Sequence, residues 1–136
     1  MIQGIDHIGI AVRSIEEQLR FYRDTLGLKA IEIETVEDQQ VRVAVIQLGA
    51  TRVELLEPTS DQSPIAVFLE RKGEGLHHLA LATDNIGQQI AELRDQGVRM
   101  IDEEPRQGAA EALIAFVHPK SAGGVLTELC QRGRES

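Results

Sequence analysis

The chain has 136 residues, 42% of them hydrophobic, enough for a single domain to bury a core without covalent staples. Fourteen basic against twenty-two acidic residues leave a formal charge of −8, which excludes a nucleic-acid binder that must meet phosphates with a basic surface. A single cysteine, Cys130, excludes an intrachain disulfide, and no apolar run is long enough for a signal peptide or a membrane span, so a soluble cytoplasmic protein is expected.

In chain order, the alternating run from Ile5 to Val12 predicts a first strand. Ser14-x-x-Glu17 then has the form of a capping box, which satisfies the first free amides of a helix. Ile15, Leu19, Tyr22 and Leu26 recur at helical spacing, and Gly27 stands where that helix should stop. Strand-like runs follow at about Lys29 to Thr35, Val41 to Leu48 and Arg52 to Glu57. Ser63 to Lys72, with Pro64 in its first turn, predicts a short extra helix. The pattern then restarts. Leu76 to Thr83 is a strand, Asn85-x-x-Gln88 a cap, and Ile86, Ile90 and Leu93 a helical stripe ending at Gly97. Further strands are expected at about Val98 to Glu103, Ala112 to Val117 and Val125 to Gln131.

The restart is a repeat. His7 falls on His78, Ala11 on Ala82, Ile15 on Ile86 and Gln18 on Gln89, each 71 positions later. Arg23 and Asp24 fall likewise on Arg94 and Asp95. The expectation is an α+β chain, one domain over residues 1–136, made of two β-α-β-β-β modules covering about 5–57 and 76–131. Side by side, two such modules form a U-shaped mixed sheet around a cleft.

Successive strand residues point to opposite faces, so His7 shares a face with Gly9 and Ala11, and His78 shares one with Ala80 and Ala82. A lone strand histidine is ordinarily a packed or surface group. Two at equivalent repeat positions, each beside small residues, point to something other than side-chain packing. Glu54 falls on Glu128 with a spacing of 74, which needs only a three-residue difference in the loops. Both glutamates sit in apolar strands, where a carboxylate is costly unless paired or bound to a metal. The bland alternative is a salt bridge to an arginine on a neighbouring strand, with Arg42 available. Two imidazoles and two carboxylates suit an octahedral divalent ion with positions left for water or substrate, and cobalt, manganese, nickel, iron and zinc all stay open. His77 and His118 are weaker ligand candidates, since His77 shares its strand face with Leu79 and Leu81.

At these residues the sequence resembles the vicinal oxygen chelate superfamily and, within it, the methylmalonyl-CoA epimerases. The stretches that carry the resemblance are IDHIGIAV, VELLEP, SPIAVFLERKGEGLHHLAL, GVRMIDEEPRQGA and HPKSAGGVLTELC, which occur in order from Ile5 to Cys130. The resemblance implies a glyoxalase/bleomycin-resistance-like fold, and a metal, cobalt by preference, on His7, Glu54, His78 and Glu128. It also implies an epimerase that takes the α-proton of methylmalonyl-CoA and returns it on the opposite face. Homodimers are expected by analogy with such domains, and neither a nucleic-acid nor a membrane partner.

Two departures stand out. Some relatives carry a glutamate proposed as base on the strand matching Gln40 to Val45, where this chain has Val43; Glu54 and Glu128 are therefore the expected bases. Relatives show more glycine and a lysine where this chain reads Gly108-Ala-Ala-Glu-Ala-Leu, and Glu111 would repel the phosphates of a coenzyme. Arg71, Lys72, Arg106 and Lys120 are the cations expected to meet those phosphates. The rival readings are a glyoxalase I-like isomerase on the same four ligands and a metal-free binding module of the same fold. An extradiol dioxygenase needs only one carboxylate, which leaves Glu54 surplus.

Overall fold

Strand β1 (Ile2–Ala11) opens a computed structural model that describes residues 1–133. The chain divides into two compact units, one of His7–His77 and one of Met1–Asp6 with the residues from His78 onward. These are the two repeats, called here the first and second modules.

In the first module the later part of β1 runs parallel to β4 (Thr51–Pro58), which pairs antiparallel with β3 (Val41–Leu48). β2 (Lys29–Val36) closes the order β2-β3-β4-β1, antiparallel to β3. Helix α1 (Ile15–Leu19) starts where Ser14 Oγ accepts the Glu17 amide at 3.2 Å, and it lays Ile15 and Leu19 on Ala44, Ile46, Val53 and Leu55. The predicted helix to Leu26 does not hold one geometry. After Leu19 the coil widens into a π-type turn over Arg20–Thr25, in which the Leu26 amide donates to the Phe21 carbonyl at 2.8 Å. No residue of that segment is fully buried, and Tyr22 packs half-buried against the core. Gly27, at φ +75°, then reverses the chain as its position predicts. The extra helix is α2 (Pro64–Lys72), capped by Ser63 Oγ on the Ile65 amide.

The second module repeats this plan up to a point. β5 (Gly75–Thr83), which starts at the end of the first module, runs parallel to β8 (Thr127–Gln131). β7 (Leu113–Val117) pairs antiparallel with β8, and β6 (Arg106–Gln107) ends the order β5-β8-β7-β6. Helix α3 (Ile86–Asp95), capped by Asn85 Oδ1 on the Gln88 amide, packs Ile86 and Ile90 on Ala115, Val117 and Leu129. The strand predicted at Val98–Glu103 is a correction: it does not form. Met100 makes one isolated bridge to Val117, and the Asp102 carboxylate then accepts the Phe116 amide at 2.8 Å, where a strand would offer a carbonyl. Pro105, which has no amide to donate, keeps the chain off the sheet until Arg106. Each module is α+β with one parallel and two antiparallel strand pairs, and no helix among the described residues is long and apolar enough to cross a membrane.

Candidate functional site

The side of each sheet away from its helix carries the candidate residues. In the first module the helix takes Val53 and Leu55 of β4, which turns Glu54 to the other face. Register sets Glu54 beside Gly9 of β1 and Val45 of β3, a glycine and a small branched residue that leave room above it. His7 lies two residues before Gly9 on that face, and its Nδ1 is 3.4 Å from Glu54 Oε2. Both side chains are almost wholly buried, His7 at 3% exposure and Glu54 at 5%. The geometry recurs in the second module. Glu128 sits beside Ala80 of β5 and Phe116 of β7, and His78 Nε2 is 3.3 Å from Glu128 Oε1. His78 and Glu128 are also buried.

The spacing within each pair is one that two ligands of a single ion would keep. Two ligands that stand at a right angle and each about 2.1 Å from one metal are about 3 Å apart. The donor chemistry fits as well, because a neutral imidazole and a carboxylate are ordinary ligands of a divalent transition ion. The bland alternative for Glu54 fails on geometry. Arg42 reaches Glu16 Oε2 at 3.0 Å and Glu57 Oε2 at 3.3 Å, since it stands opposite Glu57 in the β3–β4 register. The Arg42 guanidinium in turn holds the Glu16 carboxyl below its usual range.

The other histidines take structural places. His77 packs edge-on against Phe68 of α2 at 5.0 Å, and burial pushes its pKa down to about 4, so it is neutral at ordinary pH. His118 Nδ1 accepts the Lys120 amide at 3.0 Å and caps a turn. Val43 is buried on β3, so that strand brings no acid to the site. Among the expected coenzyme cations, Lys72 lies over the Phe68 ring, Arg71 and Lys120 are exposed, and Arg106 pairs with Asp102 at 3.3 Å.

Two sets of residues escaped the sequence reading. Phe116, whose ring meets His78 edge-on at 5.5 Å, was visible only as a core residue. Glu57 and Gln131 tie β4 and β8 to the helices: Glu57 Oε1 accepts the Ile15 amide at 2.9 Å, and Gln131 Oε1 accepts the Ile86 amide at 2.7 Å. They are 74 positions apart, the spacing of Glu54 and Glu128, and that shared spacing was the available signal.

Comparison with known proteins agrees with this plan. Residues 6–116 match the model of the Glyoxalase/Bleomycin resistance protein/Dioxygenase superfamily. An uncharacterized Bacillus subtilis protein, YqjC, is 49% identical over 127 residues, which cover 93% of this chain and 91% of that one. The mitochondrial methylmalonyl-CoA epimerase of Mus musculus is 38% identical over 128 residues, 93% of this chain and 72% of that one. A glutamate-to-glutamine variant of Streptomyces coelicolor methylmalonyl-CoA epimerase, in complex with 2-nitronate-propionyl-CoA, superposes with a TM-score of 0.95 at 39% identity. It covers 98% of this chain and all of that one.

Proposed function

We propose that this chain, which belongs to the Glyoxalase/Bleomycin resistance protein/Dioxygenase superfamily and within it to the methylmalonyl-CoA epimerases, interconverts the two epimers at the α-carbon of methylmalonyl-CoA. The observation that carries the proposal is a buried His–Glu pair in each module, with Nδ1 of His7 and Nε2 of His78 facing the carboxylates. A site for proton abstraction next to a carbonyl needs a carboxylate kept from bulk water and a positive charge to meet the anion.

In this reading His7, Glu54, His78 and Glu128 together hold one divalent ion, cobalt by preference, with manganese, nickel, zinc or iron as alternatives. When bound, such an ion supplies positive charge to the oxygens next to the reacting carbon and so lowers the cost of removing its proton. The chain's own residues do the rest. His7 and His78 each hold a ring nitrogen beside the neighbouring carboxylate, at a distance that two ligands of one ion would keep. Each glutamate has a second oxygen, Oε1 on Glu54 and Oε2 on Glu128. In the proposal one of these takes the α-proton, the carbon flattens, and the other glutamate delivers a proton to the opposite face. Either glutamate serves as acceptor, depending on the epimer that enters. The nearly complete burial of all four side chains keeps water from competing for the proton. A cytoplasmic homodimer is the proposed working form.

Proton NMR of methylmalonyl-CoA in heavy water, with the protein and with or without added cobalt, tests this directly. The expected outcome is loss of the α-proton signal that depends on the metal and stops with a chelator. Turnover of a glutathione hemithioacetal without any exchange of methylmalonyl-CoA would move the assignment to a glyoxalase I-like isomerase. Inactivity on both would leave a binding module.

A further inference from the structure

One aromatic ring joins the buried pair of the second module to a cation. Phe116 meets His78 edge-on, and on the same ring the guanidinium of Arg106 lies 5.7 Å from the centroid. The short strand β6 puts Arg106 opposite Ile114 of β7, and residues opposite each other across a strand pair share a face. Ile114 belongs with Phe116, Ala80 and Cys130 to the cluster on the face away from α3. That face also carries Glu128, the register partner of both Ala80 and Phe116.

Arg106 is held in place and is only partly used. Its Nε pairs with Asp102 Oδ1 at 3.3 Å, while Asp102 Oδ2 accepts the Phe116 amide at 2.8 Å. Asp102 is thereby anchored to β7, and the guanidinium is braced between that carboxylate and the Phe116 ring. The pair engages Nε and leaves the two terminal amino groups, which form the fork that grips a carboxylate or a phosphate through two parallel bonds. The side chain is 45% exposed, so a ligand reaches it. The failure of the predicted strand at Val98–Glu103 is what frees Asp102 for this task.

We propose that Arg106 is the specificity-determining residue for the anionic end of the acyl-CoA, binding a paired anionic oxygen group through its terminal amino groups. The inference rests on the proposed acyl-CoA substrate and adds the residue that distinguishes it from an uncharged ester. Two parts of that substrate carry such a group: the free carboxylate of the acyl chain and the phosphates of the coenzyme. Cation–π contact with Phe116 keeps the guanidinium aligned when Asp102 shares it with the ligand. Lysine in its place keeps the charge but loses both the fork and the stacking.

The test compares the wild type with Arg106→Gln and Arg106→Lys, all three checked for unchanged melting. Exchange of the α-proton is followed on methylmalonyl-CoA and on methylmalonyl-pantetheine, which keeps the acyl carboxylate and lacks the nucleotide phosphates. Arg106→Gln is expected to raise KM about tenfold or more with kcat held within about twofold, as loss of a charge-assisted bidentate contact requires, and Arg106→Lys to recover part of it. A rise on both esters assigns the contact to the carboxylate, and a rise on the coenzyme ester alone assigns it to a phosphate. Calorimetric titration of coenzyme A and of methylmalonate reads the same contact without turnover. If the wild type proves inactive, weaker binding of either ligand to Arg106→Gln still supports the anion site while the epimerase reading falls. Unchanged KM on both esters, or unchanged affinity for both ligands, overturns it.

Discussion

In the first module the edge strand β2 runs for eight residues against β3; in the second its counterpart β6 has two. The inner strands shorten less, from eight residues to five, and keep their pairing. β4 and β8 each run parallel to the first strand of their module, each carries a glutamate on the face away from the helix, and each glutamate lies within 3.4 Å of a histidine on that strand. The difference separates what the duplicated plan needs from what it tolerates. The strand pair that carries the buried histidine and glutamate is kept, and the edge is free to become a loop that places Asp102 and Arg106. The flanking strand differs in kind as well: Val45 stands opposite Glu54, where the aromatic Phe116 stands opposite Glu128. The two buried pairs are alike in residue type and unlike one residue out.

That likeness is open to attack at the four proposed ligands, where the largest effects are expected. His7→Ala and His78→Ala should each lower cobalt affinity by at least about a hundredfold, because changes merely next to ligands already cost about ten- to a hundredfold. Calorimetric titration reads this. Glu54→Gln and Glu128→Gln keep a carbonyl oxygen for the ion but lose the base. Each should slow proton exchange by about a hundredfold or more while weakening cobalt binding far less. The comparison sharpens with single epimers as substrates: each variant should fail in proton removal from one epimer and in proton return to the other. If both glutamine variants exchange at the wild-type rate, the bases lie elsewhere and the symmetry of the two modules is structural only.

A smaller effect is expected where strand meets helix. Glu57 and Gln131 do the same task, accepting the first amide of α1 and of α3, but Glu57 also pairs with Arg42. Removing such an acceptor costs about 1 kcal/mol. Glu57→Ala should therefore cost somewhat more than Gln131→Ala, by no more than the ~1 kcal/mol of a partly exposed ion pair. Urea unfolding measures both. The excess for Glu57 should vanish in high salt, and Glu57→Gln should retain the part it shares with Gln131. Equal costs at every salt concentration would show that Arg42 contributes nothing.

Legibility in the sequence follows the same division. The caps at Ser14 and Asn85, the stops at Gly27 and Gly97, and the alternation of β1 and β5 are local signals, and each stands where the residues put it. His7, Glu54, His78 and Glu128 were read together because a repeat doubles a weak signal, and the structure buries the histidine and the glutamate of each module beside one another. What went unread depends on partners distant in the chain. Nothing near Val98 announces that Asp102 will take the Phe116 amide, so an apolar run of strand-like composition became a loop. The widening of α1 after Leu19 is a local geometry that helical spacing alone does not register. Arg106 looked like one of four loose cations until β6 gave it a face.

The smallest effect concerns the turns that lead into β3 and β7. Before β3 a single residue, Gln40, takes a left-handed conformation at φ +52°, and it is braced: its side chain accepts a bond from Ser60, and its carbonyl accepts the Thr59 amide at 2.9 Å. Before β7 two successive residues are left-handed, Ala110 at φ +54° and Glu111 at φ +60°. An L-residue in that region carries a strain of about 1–2 kcal/mol, which glycine avoids. Glycine in turn gives up about 0.4–1 kcal/mol more conformational entropy on folding, so the net gain is a fraction of the strain. Ala110→Gly should therefore raise stability by roughly 0.5 kcal/mol, a rise of roughly 2 °C in Tm for a chain of this size. Gln40→Gly relieves the same strain but loses the bond from Ser60, so it should leave Tm level or lower it. Calorimetric melting of the two variants decides this, and a rise for Gln40→Gly as large as that for Ala110→Gly would show that the Ser60 bond does not hold the first turn.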